Sequence, residues 1–204
     1  MELVDTKEKL DEALYFLLEM RNNYVDRRKF IFNMNAFLNS ARNITFTLQA
    51  ELGNLPDFSK WYRKEQEKMK EDALFSFFND LRVISVHKKG VPKHKLSLTI
   101  AYVIPKDGIN FKKTSIVRVL QKFTSEDKKE MGELGLLVPS ENGSEKRLAP
   151  THTLVTDWQF ENPPKDYEGA DILALSIYYY YKLKELVEAA EEFIKKKMAF
   201  KNSG

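Results

Sequence analysis

The sequence predicts a mainly α protein, a four- to five-helix bundle with a small antiparallel β insertion before its last long helix. Three observations support this. Apolar residues recur at helical spacing through residues 1–90. Two-residue alternation, with β-branched and aromatic side chains, takes over between about residues 91 and 165. A long helical stripe then resumes at Asp171. The chain is expected to form a single domain over 1–204, with 1–90 and 168–200 making the bundle and 91–165 the β-rich insertion.

The elements follow in order. In "DTKEKLDEALYFLLEM", Asp5 or Thr6 can cap a helix whose apolar side holds Leu10, Ala13, Leu14, Leu17 and Leu18. Past "RNNYVDRR", a second helix carries Phe30, Met34, Phe37, Leu38, Ala41, Ile44, Leu48 and Leu52 along one side. That stripe is about 25 residues and so about 35 Å long. Gly53 and Pro56 end it. Asp57 or Ser59 can cap the polar helix "FSKWYRKEQEKMKED", and Asp72 begins a fourth helix that stops at "KKGVP", where Gly90 and Pro92 oppose continuation. "HKLSLTIAYVIP", "TSIVRVLQKF" and "THTLVTDWQF" are three strand candidates, with a turn expected at Asp107 and Gly108. In the last helix Ile172, Leu175, Tyr179, Leu183, Leu186, Ala190, Phe193 and Ile194 form a face that must be buried, and the N-terminal helices are the surface available.

Composition narrows the functional classes. With 43% hydrophobic and 31% charged residues the chain is globular in type rather than disordered. No run reaches the roughly 18 apolar residues of a membrane span. "MELVDTKEKLDE" is too polar for a secretion signal, so a cytoplasmic location away from membranes is expected. There is no cysteine, and the three histidines, His87, His94 and His152, have no paired spacing. No metal site and no cofactor are therefore expected. Phosphate-loop, dinucleotide-fold, zinc-protease and nucleophile-elbow motifs are all missing from the sequence. The net charge is +3, but between Lys88 and Phe123 basic residues face a single acid, Asp107, a local excess that either attracts polyanions or is a solvated lysine-rich surface with no partner.

The stretch with most chemistry is "NDLRVISVHKKG". On a helical wheel Leu74, Phe77, Phe78, Leu81, Ile84 and Ser85 share one side, while Arg82 and His87 flank the other, about 140° apart. Phe75, Val83 and Val86 make that outer side more apolar than a solvated face requires, so a second copy of the helix is expected to cover it. A twofold axis there would join two His87 and two Arg82. Imidazole suits acid or base work near neutrality, and guanidinium grips phosphate. The plainer alternative is a helix end whose histidine and lysines oppose the helix dipole while Arg82 pairs with a nearby acid. On the second helix Asn39, Arg42 and Asn43 can add phosphate contacts if they face Arg82; a solvated face is the alternative. Trp61 and Tyr62 are read either as stacking platforms or as anchors of a short helix.

The spacing R-x4-H at the end of an apolar helix, "FFNDLRVISVH", within a helical bundle resembles the HEPN superfamily of ribonuclease and nucleotide-binding domains. That resemblance implies a four- or five-helix bundle and dimerisation along the motif helix. It also implies metal-independent endoribonuclease chemistry by 2′-hydroxyl transesterification, with Arg82 and His87 as catalytic residues. Val83 follows the arginine where active members often carry Asn, Asp or His. The expected partner is RNA or a nucleotide, contacted by Asn79, Arg42, Lys88 and Lys89, with an antitoxin-like protein as a further possible partner. The alternatives are a non-catalytic binding module and a structural dimerisation protein.

Overall fold

In the computed structural model of the protein, residues 2–24, 26–87, 97–103, 153–160, 163–168 and 170–201 are described. Among them are five α-helices: α1 Val4–Asn22, α2 Arg27–Leu52, α3 Phe58–Glu71, α4 Ala73–His87 and α5 Ile172–Lys201. The chain divides into two compact units, residues 1–92 with 178–204, and residues 93–177. The mainly helical class is as expected. Among the described residues no helix is long and apolar enough to cross a membrane.

The helical unit is held by the stripes that the sequence marks. On α1 the buried apolar residues are Leu10, Ala13, Leu17 and Met20. On α2 they run from Phe30 through Met34, Phe37, Leu38, Ala41, Ile44 and Leu48 to Leu52. α4 buries Leu74, Phe78 and Leu81, and α5 brings Tyr179, Leu183, Leu186, Ala190 and Ile194. Phe78 and Tyr179 stack with centroids 4.4 Å apart and planes 9° apart, and Phe37 meets both edge-on. Such aromatic pairs add about 1 kcal/mol each to their area burial. The polar helix α3 buries only Phe58 and Tyr62. Phe58 stacks on Tyr62, and Trp61 stacks on Phe193 of α5 at 5.2 Å, so Trp61 is an anchor of α3.

The helix starts differ from expectation in two places. Neither Asp5 nor Thr6 caps α1, which begins at Val4 with Leu3 in the capping position and no side-chain cap. The free amides of Asp5 and Thr6 instead donate to the Glu51 carboxylate at the far end of α2, both at 2.9 Å, and the buried Thr6 hydroxyl donates to the same group. Asp57 precedes α3 with a left-handed φ of 64°, but its carboxylate pairs with Lys197 of α5 and accepts no capping bond. Asp26 and Asp72 behave as ordinary caps, Asp26 accepting from Arg28 and Lys29 and Asp72 from Leu74 and Phe75. Gly53 follows α2 at a position too tight for a side chain: a Cβ there would lie 2.7 Å from the Gln49 carbonyl oxygen.

In the second unit β1, Ser97–Val103, pairs antiparallel with β2, Thr153–Gln159, in a register that sets Ile100 opposite Thr156. Trp158 is buried, and its amide donates to Asp171 Oδ2 at 3.1 Å. The other oxygen of Asp171 accepts from Leu173 and Ala174, so one buried carboxylate caps α5 and ties it to β2. The expected insertion over 91–165 is not supported as a β-rich body. Its middle strand candidate, residues 114–123, lies outside the described residues, and what is described is one two-stranded ladder.

A basic cavity lined by four helices

Four helices of the first unit, α2, α3, α4 and α5, line a cavity of about 290 Å³. From α2 come Leu38, Arg42 and Thr45, and from α3 Tyr62, Gln66, Met69 and Lys70. From α4 come Phe75, Ser76, Phe78, Asn79 and Arg82, and α5 closes it with Tyr179. On α2 and α3 and for Phe75, Phe78, Asn79 and Arg82 of α4, the lining residues recur at three- and four-residue steps, the interval at which side chains share one helix face. The lining holds three cations and no carboxylate.

Both arginines present unused donors. Arg42 Nη1 donates to Thr45 Oγ1 at 3.2 Å, and the guanidinium lies 4.3 Å above the Phe46 ring. Its Nε is buried and makes no hydrogen bond, and the same holds for Nε of Arg82. A buried donor without an acceptor is costly, and the side chains that carry these two donors both line the cavity, where Arg42, Lys70 and Arg82 together would stabilise an anion. Burial pushes the Tyr179 phenol well above its ordinary range, with Arg42 pulling the other way. Burial likewise raises Tyr62, opposed by Arg42 and by hydrogen bonding with Thr45 and Gln66. Both phenols are therefore neutral near pH 7 and available as donors.

The cavity rests on a charged clamp. The second oxygen of Asp72 accepts from Lys182 of α5 at 2.5 Å, joining the α4 N-terminus to α5 beside Phe75. Burial works to raise the Asp72 carboxyl, but the Lys182 hydrogen bond and the Phe75 and Leu74 amides hold it below its usual value.

Of the residues that the sequence singles out, Arg42, Asn79 and Arg82 all line this cavity. Arg42 thus faces α4, and Nε of Arg82 makes no hydrogen bond among the described residues. Of His87 only its place in the last turn of α4 is described, and Lys88 and Lys89 lie outside the described residues. Phe75 is not part of an outer apolar face: it packs edge-on against Tyr179 at 5.2 Å, under Lys182. Val83 does stand out, 40% exposed. Sequence reasoning missed Lys70, Gln66, Ser76 and Thr45, polar residues on solvated-looking faces that nothing in local periodicity distinguishes.

Among known proteins, no curated protein and no solved structure matches the chain. One family model does, that of bacteriophage lambda protein ea47, over residues 2–99. This corrects the HEPN resemblance. R-x4-H on a helix end is only two residues deep, whereas the ea47 match runs the length of α1 to α4, including the motif itself. The helical unit up to α4 is thus similar to the ea47 family.

Proposed function

We propose that the helical unit binds a phosphate-bearing ligand, a nucleotide or RNA, in the cavity between α2, α3 and α4. One observation carries this reading: Arg42, Lys70 and Arg82 converge on a wall without carboxylates, and two of their guanidinium nitrogens have no protein acceptor. Guanidinium is suited to phosphate oxygens by its planar fork, and the neutral phenols of Tyr62 and Tyr179 add donors or a ring face for a base. A volume of about 290 Å³ is at the small end for ligand sites and matches one nucleotide unit rather than a large cofactor. The test is equilibrium binding of a nucleoside monophosphate and of a short RNA to wild type and Arg82→Ala. Loss of one charged grip is expected to weaken both about 10- to 100-fold. Equal affinity in the variant would overturn the assignment.

A second reading adds cleavage, because Arg82 and His87 lie on the same last turns of α4 with exposed Val83 between them. The 2′-oxygen attacks phosphorus, the bond to the 5′-oxygen breaks, one imidazole takes the 2′ proton and another protonates the leaving oxygen. A site built on His87 alone needs two copies for this, joined through α4, so the reading includes a homodimer. Wild type would then leave 2′,3′-cyclic phosphate ends on RNA in chelator, and His87→Ala would not. Uncut RNA in both would sink it while leaving the binding site standing.

A further inference from the structure

We infer that the outer face of α2 is a track for a single-stranded polynucleotide that leads into the Arg42–Arg82 cavity. Arg28, Phe32, Asn35, Asn39, Arg42 and Phe46 fall within a band about 100° wide on the helical wheel. The band runs about 27 Å along the axis.

Two aromatic rings stand in this band where burial would be expected. Phe32 is 57% exposed and Phe46 47% exposed. Each has a guanidinium over its face, Arg28 at 5.4 Å from the Phe32 centroid and Arg42 at 4.3 Å from that of Phe46. Between Arg27 and Ala50 the helix contains no Asp or Glu, while Arg27, Arg28, Lys29 and Arg42 give it a positive field. Exposed rings paired with arginines are the chemistry of sequence-tolerant strand binding. The rings stack bases and the guanidinium groups hold phosphates. A buried protein partner would favour an apolar centre, and this band has arginine and asparagine between its two rings.

The band is continuous with the cavity because Arg42 belongs to both: its guanidinium covers Phe46 and its side chain lines the pocket beside Thr45. A strand lying along α2 would place one terminal unit at Arg42 and Arg82 and pass its remaining bases over Phe46 and Phe32. The length suits about four nucleotides or somewhat more. The inference rests on the proposed phosphate site only for where the strand ends. The track stands on Phe32 and Arg28, which are not in the cavity lining.

Fluorescence anisotropy with labelled single strands of 1, 4, 8 and 12 nucleotides, as RNA and as DNA, and with a 12-base-pair duplex tests it. Affinity is expected to rise steeply from one nucleotide to about four and to level off by about eight, to be lower for duplex, and to drop roughly tenfold for the long strands in Phe32→Ala and Arg28→Glu. The mononucleotide should not respond to those two changes. Both replaced side chains are exposed, so helical circular dichroism should match wild type. Tighter binding of RNA or of DNA names the natural strand, and either supports the track. A mononucleotide bound as tightly as a 12-mer, with Phe32→Ala silent, would overturn the track and keep the cavity. Long strands bound through Phe32 but indifferent to Arg82→Ala would keep the track and overturn the cavity as its end. Loss of self-association rather than strand binding in Phe32→Ala would assign the face to a second copy and overturn the inference.

Discussion

Asp72 shows how much a single side chain can hold. One oxygen takes two amides at the start of α4, and the other takes the Lys182 ammonium from α5. Both partners are largely shielded, with side-chain exposures of 20% and 23%. Asp72→Ala removes cap and ion pair together and is expected to cost about 2 kcal/mol in urea unfolding, whereas Asp72→Asn keeps a capping oxygen and is expected to cost about 1 kcal/mol. The pH dependence follows from the lowered folded-state pKa. The pair contributes in full above the unfolded value near 3.9 and is lost as pH falls through the lower folded value. The gap between wild type and Asp72→Asn should therefore persist at pH 7 and close below about pH 4. A gap that stayed constant into acid would show that the ion pair contributes nothing. Asp72 was legible as a helix start because its cap is three residues long. Lys182 was not, because it lies 110 positions away.

At the scale of elements, α1 and α2 are stitched at their ends by Glu51, whose carboxylate takes the place of a local cap. Glu51→Ala leaves the amides of Asp5 and Thr6 and a buried hydroxyl without an acceptor, so the expected loss is about 2 kcal/mol. Hydrogen exchange should locate the loss in the first turn of α1, and a protected first turn in the variant would contradict it. The pattern of apolar residues found the buried faces of α1, α2, α4 and α5, because each face has to repeat every three or four residues whatever it packs on. It could not tell which polar side chains those helices bring together. Arg42 and Arg82 are 40 positions apart, and each alone looks like a solvated residue. Phe75 was misjudged for the same reason, since the ring that covers it, Tyr179, sits on the last helix. The match to ea47 likewise rests on the whole run of helices, which a five-residue spacing does not represent.

For the molecule as a whole, charge placement matters more than its net value of +3. With Arg42, Lys70 and Arg82 on one cavity, the logarithm of RNA affinity should fall against the logarithm of salt with a slope of about −2 from these three contacts. Arg82→Ala should flatten it by about 0.7. A slope unchanged by that substitution would mean that the strand never reaches the cavity. The helical unit is also discontinuous along the chain: α1 to α4 are made first, and residues 93–177 intervene before Tyr179 is made. At about 5–20 residues per second that is a wait of roughly ten seconds on the ribosome. Throughout it Phe37 and Phe78 have each other but not the Tyr179 ring, and the cavity has no fourth wall. Until α5 emerges the proposed phosphate site is incomplete, and the aromatic side of α2 and α4 that Tyr179 covers stays open to a holding chaperone.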